Sequence, residues 1–441
     1  MEDESFFFFL YCYLYQKPKL NYAIFILLLA ASFYYLPKWK SINNTGLSPR
    51  TIRILLFIKL AAGLLLGWIT HRFYKANDYW DMNKEGFKEY QLLKDHPMEF
   101  LTNLFYSPYT DKYGRFFNAV GSYWNDLRNN IVIKLVALSN LISGGSYYLN
   151  SLLFNICSFL GCIFLFKLFI KIFPEKYWQS IVCAFLIPST LYFTSGIHKD
   201  LLVFTSLCFY FNYLHRLANE KYEIKLLIKL FISLLIILLV RNFVVVPLLP
   251  LSLVYLLAVK SSFRTSTLFI SVALLAFITL LIFDLTESAY SPLQLIVDRQ
   301  YDFLQLEPGD SQLVVQELQP NLKNFVLNLP TSLEHVFLRP YIWEQGNFFY
   351  LPIAVELMLL QLLLVVLPFY FKSSNCYDKP LLYLFVFFSL FMFVVIGFTI
   401  PNLGAIVRYR SIYLPFLAFP LLCSINWSKL KRIKRMVNIN M

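Results

Sequence analysis

Eleven stretches of this chain are almost wholly apolar, and each meets or approaches the ~20 residues an α-helix needs to cross a bilayer. They cover about 20–36, 53–71, 147–170, 177–195, 200–215, 224–240, 242–259, 266–285, 350–371, 380–399 and 404–425. Nothing in lipid bonds to exposed backbone N–H and C=O groups, so such stretches must satisfy their own, and helices do so. Composition points the same way. Hydrophobic residues make up 58% of the 441, mean hydropathy is +0.58, and charged residues are 15%, against ~25% in soluble domains. A water-soluble chain cannot hide that much apolar surface. A soluble enzyme, a disordered chain, a collagen-like chain and a disulfide scaffold are excluded. The expected fold is all-α: a polytopic integral membrane protein of about 11 transmembrane helices, forming one membrane domain over 1–441.

Charge placement orients the spans. Lys429, Lys431, Arg432, Lys434 and Arg435 cluster in the basic tail 426–441, which is expected in the cytoplasm. Alternation then puts the other short basic connections inside: Lys38, Lys40, Arg50 and Arg53; Lys171 and Lys176; Arg216, Lys221 and Lys225; Lys260 and Arg264; Lys372 and Lys379. The net charge of +13 is therefore mostly orientation rather than a nucleic-acid footprint. The N-terminus falls outside, and the acidic start Met1-Glu2-Asp3-Glu4 does not read as a cleaved signal peptide. The run 6–15 is short for a span, and 131–143 reads as interfacial or re-entrant. Two long segments, 72–146 and 286–349, become the first and second outer (periplasmic) loops. Both mix charged, aromatic and apolar residues, so amphipathic helices on the membrane surface are expected there. Cys12, Cys157, Cys162, Cys183, Cys208 and Cys423 lie in apolar runs without a CxxC pair and read as small core residues.

Charges at lipid depth need a reason. At the outer ends of the spans stand Asp78 and Asp81 in KANDYWD, His198-Lys199-Asp200 in SGIHKD, and Arg241 between the sixth and seventh spans. Arg339 and Glu344 follow in LRPYIWE, with Glu356 inside the ninth span and Arg408 and Arg410 in VRYRS at the start of the last. A carboxylate can take the proton of a hydroxyl. Arg holds phosphate oxygens by a bidentate fork and Lys as a point charge, and cations aimed at a leaving phosphate stabilise it strongly in a water-poor site. Together these residues suit transfer of a group from a lipid phosphate to a hydroxyl.

Each also has a plainer role open to it. Asp78 and Asp200 can cap helices, Arg408 and Arg410 can snorkel to headgroups, and so can Lys59. Glu356 can pair with a neighbouring Arg. Tyr79, Trp80, Tyr341 and Trp343 fit an interfacial aromatic belt or can stack on sugar rings. No GxGxxG, P-loop, HExxH, GxSxG or DxD is present. A divalent metal shared by Asp78, Asp81 and Glu344 stays open, and no other cofactor is implied.

Read in order, FIKLAAGLLLGWITHRFYKANDYW (57–80), SGIHKDLLVF (195–204), VRNFVVVPLLP (240–250), PTSLEHVFLRPYIWE (330–344) and VRYRSIYLPFL (407–417) resemble the multi-spanning bacterial membrane glycosyltransferases of Bacteroidetes type. These are related in layout to GT-C enzymes and to exopolysaccharide and O-antigen polymerases. The resemblance covers about residues 51–425. It implies a catalytic carboxylate in the first outer loop and a polyprenyl-phosphate-linked sugar donor. By position, Asp78 (with Asp81) would be catalytic. His198, Lys199, Asp200, Arg241, Arg339, Glu344, Arg408 and Arg410 would bind substrate. The related proteins often show Gly-Gly-Asp where this chain has Ala76-Asn77-Asp78, and the charged stretch 82–130 that follows has no assigned role.

The expectation is thus a bacterial inner-membrane glycosyltransferase acting on the periplasmic side in surface polysaccharide or glycoconjugate synthesis. Its partners would be the lipid-linked sugar, a glycan acceptor and the bilayer, with no nucleic acid. Two alternatives differ in mechanism: a polymerase or ligase of polyprenyl-linked repeat units, in which Arg rather than Asp dominates, and a non-enzymatic transporter or flippase of the same glycans.

Overall fold

The computed structural model describes residues 18–74, 77–109, 116–117, 121–220, 222–286, 291–306, 311–344, 350–371, 376, 378–427 and 429. The longer helices, in chain order, are α1 (Pro18–Tyr35), α2 (Pro49–Phe73), α3 (Asp78–Asp95), α4 (Tyr123–Ser143), α5 (Tyr147–Ile172) and α6 (Tyr177–Leu186). Next come α7 (Pro188–Phe193), α8 (Lys199–Asn219), α9 (Ile224–Val240), α10 (Val245–Lys260) and α11 (Thr265–Leu285). The last are α12 (Pro292–Leu304), α13 (Leu322–Phe337), α14 (Leu351–Tyr370), α15 (Lys379–Thr399) and α16 (Leu403–Cys423). Among the described residues there is no strand beyond two isolated bridges, Gln312–Asn402 and Phe371–Ile425. The run 6–15 and nearly all of the basic tail lie outside the described residues.

The helix starts follow from local chemistry. Ser48 accepts from the Thr51 amide ahead of Pro49, Asn77 from Trp80, Ser122 from Asn125, Asp378 from Leu381 and Asn402 from Ala405. Each side chain satisfies a backbone donor that the first turn leaves open. The carboxylates of Asp78 and Asp81 occupy the first turn of α3, where the helix dipole favours negative charge.

Seven helices among the described residues are long and apolar enough to cross a membrane, by length and composition. They begin at Pro49, Tyr147, Asn242, Thr265, Leu351, Lys379 and Leu403. On α11 only 6% of the apolar window is buried, and Leu274, Leu275, Phe277, Ile278 and Ile282 are exposed. An apolar helix with its side chains uncovered needs lipid around it. These elements define an all-α, multi-pass membrane protein.

Two expectations are corrected here. The stretch 177–195 is not one spanning helix: α6 ends at Leu186, Ile187 is extended (φ −66, ψ 116), and α7 starts at Pro188. Proline disfavours helical backbone at the residue before it and offers no N–H to the helix. The run 131–143 is not a separate re-entrant piece but the second half of α4, whose start lies at Tyr123.

The chain groups into two compact units. The first holds α1 to α4, α5 as far as Ile163, and Leu191–Ser206. Its core joins Leu66 of α2, Tyr79 and Met82 of α3, Val132 and Val136 of α4, Tyr147 and Phe154 of α5, and Ile197 and Leu201. A buried amide network fastens three of these helices. Asn150 donates to Asn83 (2.8 Å) and to Asn140 (2.6 Å), Asn140 donates to the Gly86 carbonyl, and Asn83 to the Gly145 carbonyl. In a membrane protein each such bond contributes ~0.6 kcal/mol on average, so the network fixes register more than it adds strength. Gly86 allows the close contact of α3 with α4, because a Cβ there would lie 2.5 Å from a Val136 methyl.

The second unit holds Phe116–Gly121, Phe164–Thr190 and the residues from Leu207 onward. Its centre is α16, 78% of whose apolar window is buried. Phe419 stacks on Phe169 at 3.7 Å, Phe416 meets Phe211 at 5.0 Å and Phe385 at 5.4 Å, and Tyr413 meets Phe388. Gln300 of α12 is buried and donates to the Gln316 and Phe398 carbonyls while accepting from Leu318 N, which pins the segment before α13 to α12 and to the end of α15.

Candidate functional site

In the first unit, the segment Thr194–His198 leads into α8. Gly196 sits at φ +105, a backbone conformation open to glycine and strained for other residues. The Nζ of Lys59, on α2, donates to the Thr194 carbonyl (2.7 Å) and hydroxyl (2.8 Å) and is 2% exposed. Lys59 therefore does not snorkel. Buried without these oxygens its ammonium would be strongly destabilising, and with them it fixes the segment that carries His198.

His198 is buried between two carboxylates. Its Nδ1 lies 2.9 Å from Oδ2 of Asp200, and its Nε2 lies 3.4 Å from Oδ2 of Asp78. Nδ1 is also 3.2 Å from the Asp200 amide, so it can accept there or donate to the carboxylate, but not both in one tautomer. The hydrogen bond made at Nδ1 is the one it accepts from the Asp200 amide, which leaves the ring proton on Nε2, facing Oδ2 of Asp78. Tyr79 packs on the imidazole, centroid to centroid 4.9 Å, and keeps it in place. The three side chains differ in access: His198 and Asp200 are 2% and 0% exposed, and Asp78 is 56% exposed. A reachable carboxylate is thus backed by a buried imidazole, itself oriented by a second carboxylate, an arrangement suited to taking and passing on a proton. Asp78 is not the cap of α3, since Asn77 fills that place.

The other predicted residues of this unit are placed differently. Lys199 donates to Oδ1 of Asn129 on α4 at 2.6 Å. Asp81 is exposed one turn beyond Asp78. Tyr79 and Trp80 do not form an interfacial belt. Tyr79 is buried, and the Trp80 indole donates to the Gly67 carbonyl (3.1 Å) and stacks on Tyr147 at 4.1 Å.

The second unit gathers the arginines. Arg241 ends α9, and its guanidinium lies 3.9 Å above the Tyr409 ring. Arg408 reaches the Tyr409 hydroxyl at 3.5 Å. Arg299 of α12, which sequence reading missed, stacks on Phe243 (4.9 Å) and Phe303 (5.3 Å) and donates to the Phe117 carbonyl. Loss of solvent, with the Arg241 charge adding to it against the pull of Tyr409, lowers Arg299 to about 10. It sits in an amphipathic helix among Asp298 and Asp302, so nothing in the pattern separated it from a solvated face.

Arg410 lies two residues past Arg408 and so on a different side of α16. It is 1% exposed, does not snorkel, and donates through Nη1 to the carbonyls of Val336 and Arg339. Its Nε and Nη2 have no hydrogen-bond partner among the described residues. Arg339 pairs with Glu344 at 2.5 Å, and Glu344 also accepts from the Tyr341 amide. His335 is buried alongside, its Nδ1 without a partner among the described residues. Burial, and then the Arg339 charge, hold His335 below its usual value. Tyr341 and Trp343 stack on each other, with Trp343 exposed. Glu356 accepts from the Ser189 amide and hydroxyl, both at 2.6 Å, and its charge interacts with that of Arg410.

The sequence candidates thus fall into three groups: Asp78, His198 and Asp200; Arg241 and Arg408 around Tyr409, joined by Arg299; and Arg339, Glu344 and Arg410. Glu344 is engaged by Arg339, and among the described residues no group of three or more His, Cys, Asp or Glu could hold a metal ion.

The fold and these groups define a multi-pass helical membrane protein with an acid–imidazole–acid array, whose imidazole and one acid are buried, and a set of arginines. No family model, no curated protein and no solved structure matches the chain.

Proposed function

We propose that the protein is a membrane glycosyltransferase that moves a sugar from a polyprenyl-phosphate-linked donor to a hydroxyl acceptor. In this reading it crosses the bacterial inner membrane eleven times, with the fourth span broken at Pro188 and the C-terminus in the cytoplasm. It acts on the periplasmic side, in synthesis of surface polysaccharide or glycoconjugate. The observation that carries the reading is the Asp78–His198–Asp200 array. Asp78 accepts the proton of the acceptor hydroxyl, and the freed oxygen forms its bond to the anomeric carbon. The bond from that carbon to the donor phosphate oxygen breaks, and the phosphate leaves with the electron pair. His198, with Asp200 beside it, positions the Asp78 carboxylate through Nε2. Among the arginines of the second unit, Arg241, Arg299 and Arg408 around Tyr409 have the chemistry to bind a phosphate. The test is Asp78→Asn, with glycan product measured at matched protein level. A loss of ~10²–10⁴-fold is expected for removal of a general base, and full activity removes Asp78 from the mechanism.

A second reading, a polymerase or ligase of polyprenyl-linked repeat units, draws support from the buried Arg410 with its unpartnered Nε and Nη2. It expects loss when Arg408 and Arg410 are replaced separately, with Asp78→Asn active.

A further inference from the structure

The charged stretch after Asp78, left without a role by the sequence, folds around a cavity of about 310 Å³ in the first unit. Its walls include Glu89 of α3, Asn103 and Tyr106 of the following turn, and Asp126, Asn129 and Asn130 of α4. The last three stand at i, i+3 and i+4 and so share one helix face.

The walls are fixed before any ligand arrives. Asn103 donates to Glu89 (2.9 Å), Lys134 donates to Glu89 and to Asn103, and Ser107 donates to Asp126 (2.5 Å). Asn130 holds the carbonyls of Leu104 and Tyr106 at 3.2 Å each. The size lies at the lower end of small-ligand sites, and the chemistry narrows the ligand class. Among the described residues the wall carries amides and carboxylates and no arginine, which disfavours a phosphate, and the scarcity of aliphatic side chains disfavours a lipid tail. Amides and carboxylates can each pair with neighbouring hydroxyls, and the two tyrosine rings, Tyr106 and Tyr109, offer faces for the C–H side of a sugar ring.

We infer that this cavity binds a neutral saccharide. Asn129 belongs both to the cavity wall and to the bond with Lys199, the residue after His198. The saccharide is therefore the acceptor whose hydroxyl is presented to Asp78. That last role rests on the transferase reading, and binding in the cavity does not.

The experiment uses the full-length protein in nanodiscs, with saturation-transfer NMR against the methyl glycosides of glucose, galactose, rhamnose and N-acetylglucosamine, and glucose 1-phosphate as the anionic control. At least one neutral glycoside binds the native protein in preference to the anion. Tyr106→Ala, whose ring is 71% exposed and supports no core, and Asp126→Asn each weaken binding about 10-fold, ~1.4 kcal/mol. If no neutral glycoside binds, if the anion binds better, or if both cavity variants bind unchanged, the assignment is overturned. Saccharide binding with no transfer in any assay sinks the transferase reading alone. Transfer abolished by Asp78→Asn without cavity binding sinks this inference alone.

Discussion

Nε2 of His198 faces Oδ2 of Asp78 at 3.4 Å across 120 residues of sequence, while Nδ1 of the same ring meets Asp200 two residues on. The long-range half of this contact depends on a local device, the Asn77 cap that begins α3, and on the Lys59 anchor, which reaches Thr194 across 135 residues. Residues that act as one unit give substitutions that do not add.

His198→Gln and Asp200→Asn should therefore each lower transfer, Asp200→Asn by less, since it acts through the ring. Either one combined with Asp78→Asn should cost little more than Asp78→Asn alone. Rates of the single and double variants at equal protein level decide this. Full additivity would show that the three side chains act independently.

Gly196→Ala should destabilise the first unit by about 1–3 kcal/mol, the range for a side chain forced into a sparsely populated backbone region. A Cβ there would also lie 2.8 Å from a Leu66 methyl. Thermal unfolding in nanodiscs reads the stability, and a transition unchanged from the native protein would show that φ +105 is not required.

Arg410→Lys should lower stability by about 1–3 kcal/mol, because one ammonium cannot replace the planar fork and leaves a buried carbonyl of Val336 or Arg339 unsatisfied. Arg408→Lys should move the unfolding transition by less than about 0.5 kcal/mol, as an ordinary half-buried change does. Equal effects of the two would contradict the placement on different sides of α16.

His335 gives a pH dependence. Burial first, and then the Arg339 charge, hold its folded-state pKa below the ordinary value. The unfolded chain then takes the proton more readily than the folded one, so stability is full above the unfolded pKa, ~6.5, and falls as pH drops below it. Unfolding temperatures from pH 7 down to about 5 should decline in the native protein and less steeply in His335→Gln. Equal slopes would remove His335 from the effect.

Much of the fold was legible because lipid makes helix formation a matter of length and apolarity. Of the expected spans, 224–240 is α9 to the residue, and 147–170, 266–285 and 380–399 match α5, α11 and α15 within two residues at either end. The stretch 177–195 was misread because a hydropathy run does not register the backbone restriction ahead of Pro188. Asp78, His198, Asp200, Arg339, Glu344 and Arg410 were visible as polar residues in apolar surroundings. Arg299 and the amide wall of Asp126, Asn129 and Asn130 were not, because polar residues on an amphipathic helix look alike whether they face water or a cavity.

The sequence by itself determined that this chain is helical, apolar and bound for a membrane, and which few charges stand at the ends of its helices. The tertiary structure decided what those charges touch: Lys59 on Thr194, Glu356 on Ser189, Arg410 on two carbonyls, and His198 between Asp78 and Asp200. The reason is range. Burial in lipid acts on each segment alone and is written in its composition, whereas a hydrogen bond depends on distances of a few ångströms between segments far apart in the chain, which only their packing sets.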